Sequence, residues 1–257
     1  MRPCEITFIK DMHRFHLRPE NWESATLDAD ESHHCLNVLR LSVGDRVTVF
    51  DGAGREGQAV IESTSGSKAK LKISSNSTTP PPPCAITLAQ AVPKGKNMDL
   101  IVQKAVELGA ARIVPLLSDR TVVQVDSGDA AKKKEKWSAI ALEACKQCGQ
   151  NHLPEVAAPM TPKTFAEQLE KGDLHLIASL QPDARPIKTV LAEYGKTPRR
   201  VTIFVGPEGD FTPAEIALAK SHGCQPVTLG PIILRTETAA IYCLSVLAHE
   251  LFSPRQA

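Results

Sequence analysis

Apolar residues follow one rhythm before residue 80 of this chain and another after it. Early on, short runs alternate: Arg46-Val47-Thr48-Val49-Phe50, then Gln58-Ala59-Val60-Ile61, then Lys68-Ala69-Lys70-Leu71-Lys72-Ile73. This period-two pattern, broken by turn residues, predicts a small sheet or barrel with one short helix over residues 33–39. Later, strand-like runs at 85–90, 112–117, 174–179, 201–205 and 226–229 alternate with helical periodicity. The helix predicted over 98–108 carries Met98, Ile101, Val102, Ala105 and Leu108, with Asn97 as cap and Gly109 as stop. Another, over 132–148, sets Trp137, Ile140, Ala141, Ala144, Cys145 and Cys148 on one stripe. Thr212-Pro213-Ala214-Glu215 is a capping box that opens a helix over 213–221, and a last apolar helix starts near Thr238. Strands alternating with helices predict an α/β fold whose largely parallel sheet is covered on both faces.

Four prolines, Pro80 to Pro83, follow a run of Ser, Asn and Thr. Proline lacks an N–H and fixes its own backbone, so this stretch joins neither sheet nor helix interior. It divides the chain into residues 1–79, a linker at 80–83, and residues 84–257.

Composition narrows the classes. Hydrophobic residues make up 42% of the 257, enough for a core, but aromatics only 4%. That excludes dominant disorder and an aromatic base-stacking sheet. Thirty basic residues against 29 acidic ones exclude a basic coat for nucleic acid. The start, Met1-Arg2-Pro3-Cys4-Glu5, lacks the apolar run of a secretory signal, and no stretch approaches the ~18 apolar residues of a membrane span. Seven scattered cysteines fit a reducing compartment, so a cytoplasmic protein with no membrane partner is expected.

Several motifs reduce to ordinary structure. Gly52-Ala53-Gly54-Arg55-Glu56-Gly57 matches a dinucleotide-binding string, but a strand follows where that site needs a helix, so it reads as a hairpin turn. This weakens a dehydrogenase reading. Cys145-Lys146-Gln147-Cys148 has no second cysteine pair to complete a zinc site, and both thiols fall on the apolar stripe, so they read as small core residues. His33-His34 has no acidic or cysteine cluster beside it and reads as packing or RNA contact; no metal is expected. Lys132, Lys133, Lys134 and Lys136 read as a solvated face, with RNA contact as the alternative, since lysines at a helix start oppose its dipole.

Two loops carry more. Val205-Gly206-Pro207-Glu208-Gly209 and Leu229-Gly230-Pro231-Ile232-Ile233-Leu234-Arg235-Thr236-Glu237-Thr238-Ala239-Ala240 each join a strand's C-terminal end to a helix. That is where α/β sheets bind ligands. Without Gly-Lys-Ser/Thr, a shared backbone-lined pocket suits an uncharged adenosine portion better than a triphosphate. Glu237 suits the start of its helix, whereas Arg235 opposes the dipole, which favours a functional reading of the arginine.

Together these loops resemble the SPOUT superfamily of knotted methyltransferases. The family most similar is the bacterial RsmE type, which methylates N3 of a uridine in 16S ribosomal RNA. Arg14-Phe15-His16 and the segment from His34 to Asp45 resemble its PUA-like RNA-binding domain. Pro93-Lys94-Gly95-Lys96-Asn97-Met98-Asp99 and Gln103-Lys104-Ala105-Val106-Glu107-Leu108-Gly109 resemble its central elements. The family usually has glycine where this chain has Asp210 and arginine where it has Ile232; arginines are also frequent at the positions of Gln150 and His152.

The resemblance implies a C-terminal α/β domain with a deep trefoil knot, an N-terminal PUA-like small β-barrel, a homodimer, and S-adenosylmethionine bound in the knot. The cofactor residues it implies are Val205, Gly206, Pro207, Glu208 and Gly209 from the first loop. The second supplies Leu229, Gly230, Ile233, Leu234, Thr236 and Ala239, with Leu180 and its neighbours at the end of strand 174–179 as a third wall. Arg235 is the candidate cation for the uracil oxygens and Glu237 the candidate proton acceptor, with helix capping or holding Arg235 as its other possible duties. Arg14, Lys94, Lys96 and Lys104 are candidate RNA phosphate contacts. Rival readings are a ribose 2′-O-methyltransferase of the same superfamily, which the PUA-like front half argues against, and a noncatalytic RNA-binding or ribosome-assembly protein. Residues 1–83 hold 10 basic and 11 acidic residues and 84–257 hold 20 and 18, so RNA affinity must come from local cations and shape. That favours a structured target, the assembled small subunit, over naked strands.

Overall fold

Alternating strands need cover on one face and continuous apolar strands on both, and the chain sorts the two kinds into separate sheets. The computed structural model describes residues 13–121 and 127–252, in two compact units divided between Pro81 and Pro82.

The first unit comprises β1 (Arg14–His16), α1 (Ala29–His33), β2 (Arg46–Phe50), β3 (Arg55–Ser65) and β4 (Lys68–Thr78). Its sheet runs β1-β2-β3-β4, with β1 parallel to β2 and the other pairs antiparallel. The alternation turns Val47, Val49, Ala59, Ile61, Ala69 and Leu71 into a core with Phe15, Leu17, Trp22 and Leu27. The glycine string forms the β2–β3 turn, where Asp51 Oδ1 accepts from the N–H groups of Ala53 (2.7 Å) and Arg55 (3.0 Å). The helix expected over 33–39 starts earlier, at Ala29, because Asp28 caps it by accepting from Glu31 N–H; from His34 to Val38 it widens to π pitch. His34 packs edge-on to Phe15, with ring centroids 6.0 Å apart.

The second unit comprises β5 (Ala85–Ala91), α2 (Asn97–Glu107), β6 (Arg112–Leu116), α3 (Ser127–Cys148), β7 (Glu155–Val156), α4 (Pro162–Ala166), β8 (Leu174–Ala178), β9 (Arg185–Pro186), α5 (Ile187–Tyr194), β10 (Arg200–Val205), α6 (Pro213–Ser221), β11 (Gln225–Thr228) and α7 (Thr236–Phe252). Its seven strands run β7-β6-β5-β10-β8-β11-β9, every neighbouring pair parallel. All of β8 and nearly all of β10 are buried, as a sheet covered on both faces requires. The chain leaves β10 at the sheet's centre, passes to β11 beyond β8, and returns as α7 to lie on α2, β5 and β10. This return path fits the expected knot. The face of α7 that packs there buries Ala240, Cys243, Leu244, Leu247 and Leu251.

Local chemistry explains the ends. Thr212 and Glu215 form the reciprocal capping box, with Pro213 at the first turn. Gly109 ends α2 at φ +79°, and a side chain there would come within 2.7 Å of the Phe252 ring. Two expectations are corrected. Asn97 does not cap α2; it is the first helical residue, Lys96 precedes it, and its amide reaches Glu237 instead. Cys145 is buried but Cys148 is exposed, because the apolar stripe of α3 drifts away before the helix ends. None of the six described cysteines is held in a disulfide, and among the described residues no helix is long and apolar enough to cross a membrane.

Candidate active site

The parallel sheet brings the C-terminal ends of β8, β10 and β11 together, and the loops leaving them enclose a pocket of about 560 Å³ counted out to its open mouth. Val205, Pro207, Leu229, Leu234 and Ala239 contribute apolar lining. Gly206, Glu208, Gly230, Ile233, Thr236 and Leu180 complete the expected residues found there. Gly209 is the exception; it lies in the same loop but outside the lining. Ala178, Ser179, Asp210 and Ile232 line the pocket without having been singled out for it. The first two, Ala178 at the end of β8 and Ser179 after it, are the neighbours of Leu180 at the expected third wall.

The 206–211 loop is held from outside. Thr236 Oγ1 donates to the Gly206 carbonyl (3.4 Å), and Glu208 Oε1 accepts from the Lys94 N–H (2.9 Å). Arg120, which no motif marked, donates to the Gly209 carbonyl. Asp210 adopts φ +61°, the left-handed region, which explains how it occupies a glycine position; its Oδ1 also accepts from Phe211 N–H at 2.8 Å. Gly206 is tightly wedged: a Cβ would sit 3.1 Å from both Asp210 Oδ1 and Phe211 N.

The lining is apolar apart from backbone groups and a few polar side chains, and its charged residues, Glu208 and Asp210, are both acidic. Such a lining repels a triphosphate and accepts a cationic sulfonium. Arg235 is exposed immediately before α7, with no side-chain hydrogen bond or ion pair among the described residues. Glu237, in the first turn of α7, accepts from Asn97 Nδ2 at 3.2 Å, so it ties α7 to α2 rather than holding Arg235.

The phosphate candidates separate. Lys94 and Lys96 are exposed beside the loop. Lys104 lies two turns along α2 and pairs with Glu107 at 2.8 Å. Arg14 is already engaged: its Nη1 is 2.5 Å from Glu56 Oε2, its guanidinium lies 4.4 Å above the Phe50 ring, and its side chain is 11% exposed. Moving it to a phosphate would strand Glu56 and lose both contacts.

An RNA methyltransferase domain model matches residues 80–248, and an RNA methyltransferase PUA domain model matches residues 27–74. Ribosomal RNA small subunit methyltransferase E of Bacillus subtilis is 31% identical over 88% of this chain and 90% of its own length. The chain belongs to the ribosomal RNA small subunit methyltransferase E family. The family member from Neisseria gonorrhoeae, solved with S-adenosylmethionine bound, is 33% identical and superposes with a TM-score of 0.83 over 93% of this chain and 98% of that one. A Legionella pneumophila methyltransferase, also solved with that cofactor, is 35% identical with a TM-score of 0.84 over the same shares of 93% and 98%. The α/β SPOUT-type fold with a PUA-like front domain, and an RNA methyltransferase as the enzyme class, follow from membership.

Proposed function

We propose that this protein methylates N3 of a uridine in small-subunit ribosomal RNA on the assembled subunit, with S-adenosylmethionine as donor. The observation that carries the reading is the pocket itself: apolar, backbone-rich, acidic at its charged positions, and rimmed by the free cation Arg235. When bound, S-adenosylmethionine supplies a sulfonium-activated methyl group. The apolar walls from Val205, Leu229 and Leu234 suit the adenosine, and Glu208 and Asp210 suit the donor's positive charges.

Uracil N3 carries a proton and is a poor nucleophile until that proton leaves. Arg235, aimed at O2 or O4, favours the deprotonated base and so raises the population that can react. Glu237 accepts the proton through the oxygen not committed to Asn97, directly or by way of water. Lys94, Lys96 and Lys104 hold phosphates. Residues 1–79 grip the RNA, residues 84–257 perform the chemistry, and 80–83 join them.

The working unit in this reading is a cytoplasmic homodimer. Leu180, Ile232 and Ile233 are 63%, 69% and 79% exposed at the pocket mouth, an apolar rim that a second copy would cover. Sedimentation of the full chain tests the dimer. The function is tested by nucleoside analysis of ribosomal RNA from a deletion strain, then re-methylation of its small subunits in vitro. An unchanged 3-methyluridine content refutes the proposal.

A further inference from the structure

The turn after β6 carries a residue that lies outside the pocket lining yet touches the loop that forms it. Arg120 is exposed, and its Nη1 donates to the Gly209 carbonyl. Its Cδ lies 3.5 Å from where a Gly209 side chain would begin. The turn is fixed internally, with Thr121 N–H donating to the Ser118 carbonyl (2.9 Å) and Ser118 N–H to Thr121 Oγ1 (3.1 Å). It is also fixed externally: Asp119 N–H donates to Oε1 of the buried Glu215 at 2.9 Å. The other oxygen of Glu215 accepts from Thr212 N–H at 2.8 Å, where the 206–211 segment runs into α6. One turn therefore anchors both the middle of the loop and its exit.

An exposed carbonyl is satisfied by water, and ordering a long side chain over it gains little stability. What the bond does is fix the loop's shape. We propose that Arg120 is a positioning residue for the cofactor: it clamps the 206–209 segment from outside, so that the backbone of Gly206 and Glu208 keeps the form that receives S-adenosylmethionine. The inference rests on the functional reading above.

The test is calorimetry of S-adenosylmethionine binding to the full chain without RNA. Arg120→Ala should raise Kd about five- to tenfold, the range of one exposed hydrogen bond. Its kcat at saturating cofactor should stay near that of the parent protein, and its melting temperature should not move. Arg120→Gln, whose amide can still donate to the Gly209 carbonyl, should recover most of the affinity. Unchanged binding by Arg120→Ala overturns the clamp, as does recovery by Arg120→Lys without recovery by Arg120→Gln, which would assign the effect to charge. A parent protein that binds no S-adenosylmethionine overturns the functional reading together with the clamp. A parent that binds it but leaves undermodified subunits unmethylated overturns the choice of RNA, and the calorimetry still decides the clamp.

Discussion

Gly206→Ala is the sharpest probe of the pocket. Gly206 is not at positive φ, so alanine's backbone preferences are no obstacle and the effect is one of contact alone. The new methyl would lie 3.1 Å from Asp210 Oδ1, 3.1 Å from Phe211 N and 3.3 Å from Asp210 Cα, each a few tenths of an ångström too close. Two of the three are backbone atoms and the third is tied to Phe211 N–H, so none can swing aside cheaply. Overpacking of this kind costs about 1–3 kcal/mol. The free loop can escape most of it by opening slightly, but the cofactor-bound form must close again, so the penalty falls on binding. At 1.4 kcal/mol per decade this is about a 5- to 150-fold rise in the Kd for S-adenosylmethionine.

Calorimetry reads the affinity and thermal melting checks the fold. Asp210→Gly supplies an internal control, because it removes the Oδ1 contact and frees a position held at φ +61°. The double variant should regain part of the lost affinity, with coupling of about 0.5–1.5 kcal/mol, while the contacts to the backbone remain. Gly206→Val, which adds two methyls at the same point, should abolish binding. A Gly206→Ala protein that binds the cofactor within twofold of its parent refutes the assignment of this loop as the cradle.

Further outcomes are expected at the rim and in the core. Arg235→Ala should lower methyl transfer about 10²–10³-fold while leaving cofactor affinity intact, as its side chain is outside the lining; full activity removes it from catalysis. Glu237→Gln keeps an acceptor for Asn97, so melting should hold while kcat falls about 10²-fold; kcat within twofold of the parent assigns Glu237 to structure alone. Gly109→Ala forces a φ of +79° and crowds Phe252, costing about 1–2 kcal/mol, which calorimetric melting should show as a drop of a few degrees. Burial pushes the thiols of Cys224 and Cys243 up to about 12 from 9.0, so among the described cysteines the exposed Cys148 should alkylate before either. The folded state holds those two protons more tightly than the unfolded chain, so their contribution is complete below pH 9 and is lost as pH rises toward 12; denaturant titrations should show stability falling on that side.

Local rules recovered the parts of this fold that are locally determined. The alternation of Val47 and Val49, the apolar run of β8, and the reciprocal cap of Thr212 and Glu215 each need only a few neighbouring residues. The elements that no run predicted are β1, β7, β9, α4 and α5: the strands have two or three residues and α4 has five, too few for any periodicity to emerge, and α5, with eight residues, spans only two turns. Long-range partners were equally hidden. Arg14 reads as a free cation until the fold places Glu56 beside it, 42 residues away. Asn97 has the chemistry of a cap, but Glu237, 140 residues on, competes successfully for its amide. The pocket loops were legible because strand–Gly-Pro–helix junctions reveal both the turn and the sheet edge it occupies. The hold of Arg120 on Gly209 was not, because nothing local connects positions 89 residues apart.

Those contacts also bear on how a nearly neutral chain would handle RNA. The net charge of +1 spreads over 59 charged side chains, and several of the cations are spent on neighbours: Arg14 on Glu56, Lys136 on Asp99, Arg200 on Glu170 and Asp173. Those left near the pocket, Lys94, Lys96 and Arg235, come from two separate strand-to-helix connections whose strands end on the same edge of the sheet. Parallel topology thus gathers cations that composition averages away. In the proposed function, a focused patch of this size would steer a phosphate backbone to the methyl-transfer site without holding arbitrary RNA strongly. Binding should therefore lose affinity steeply with salt on generic RNA and keep more of it on the assembled subunit, where shape supplies the remainder.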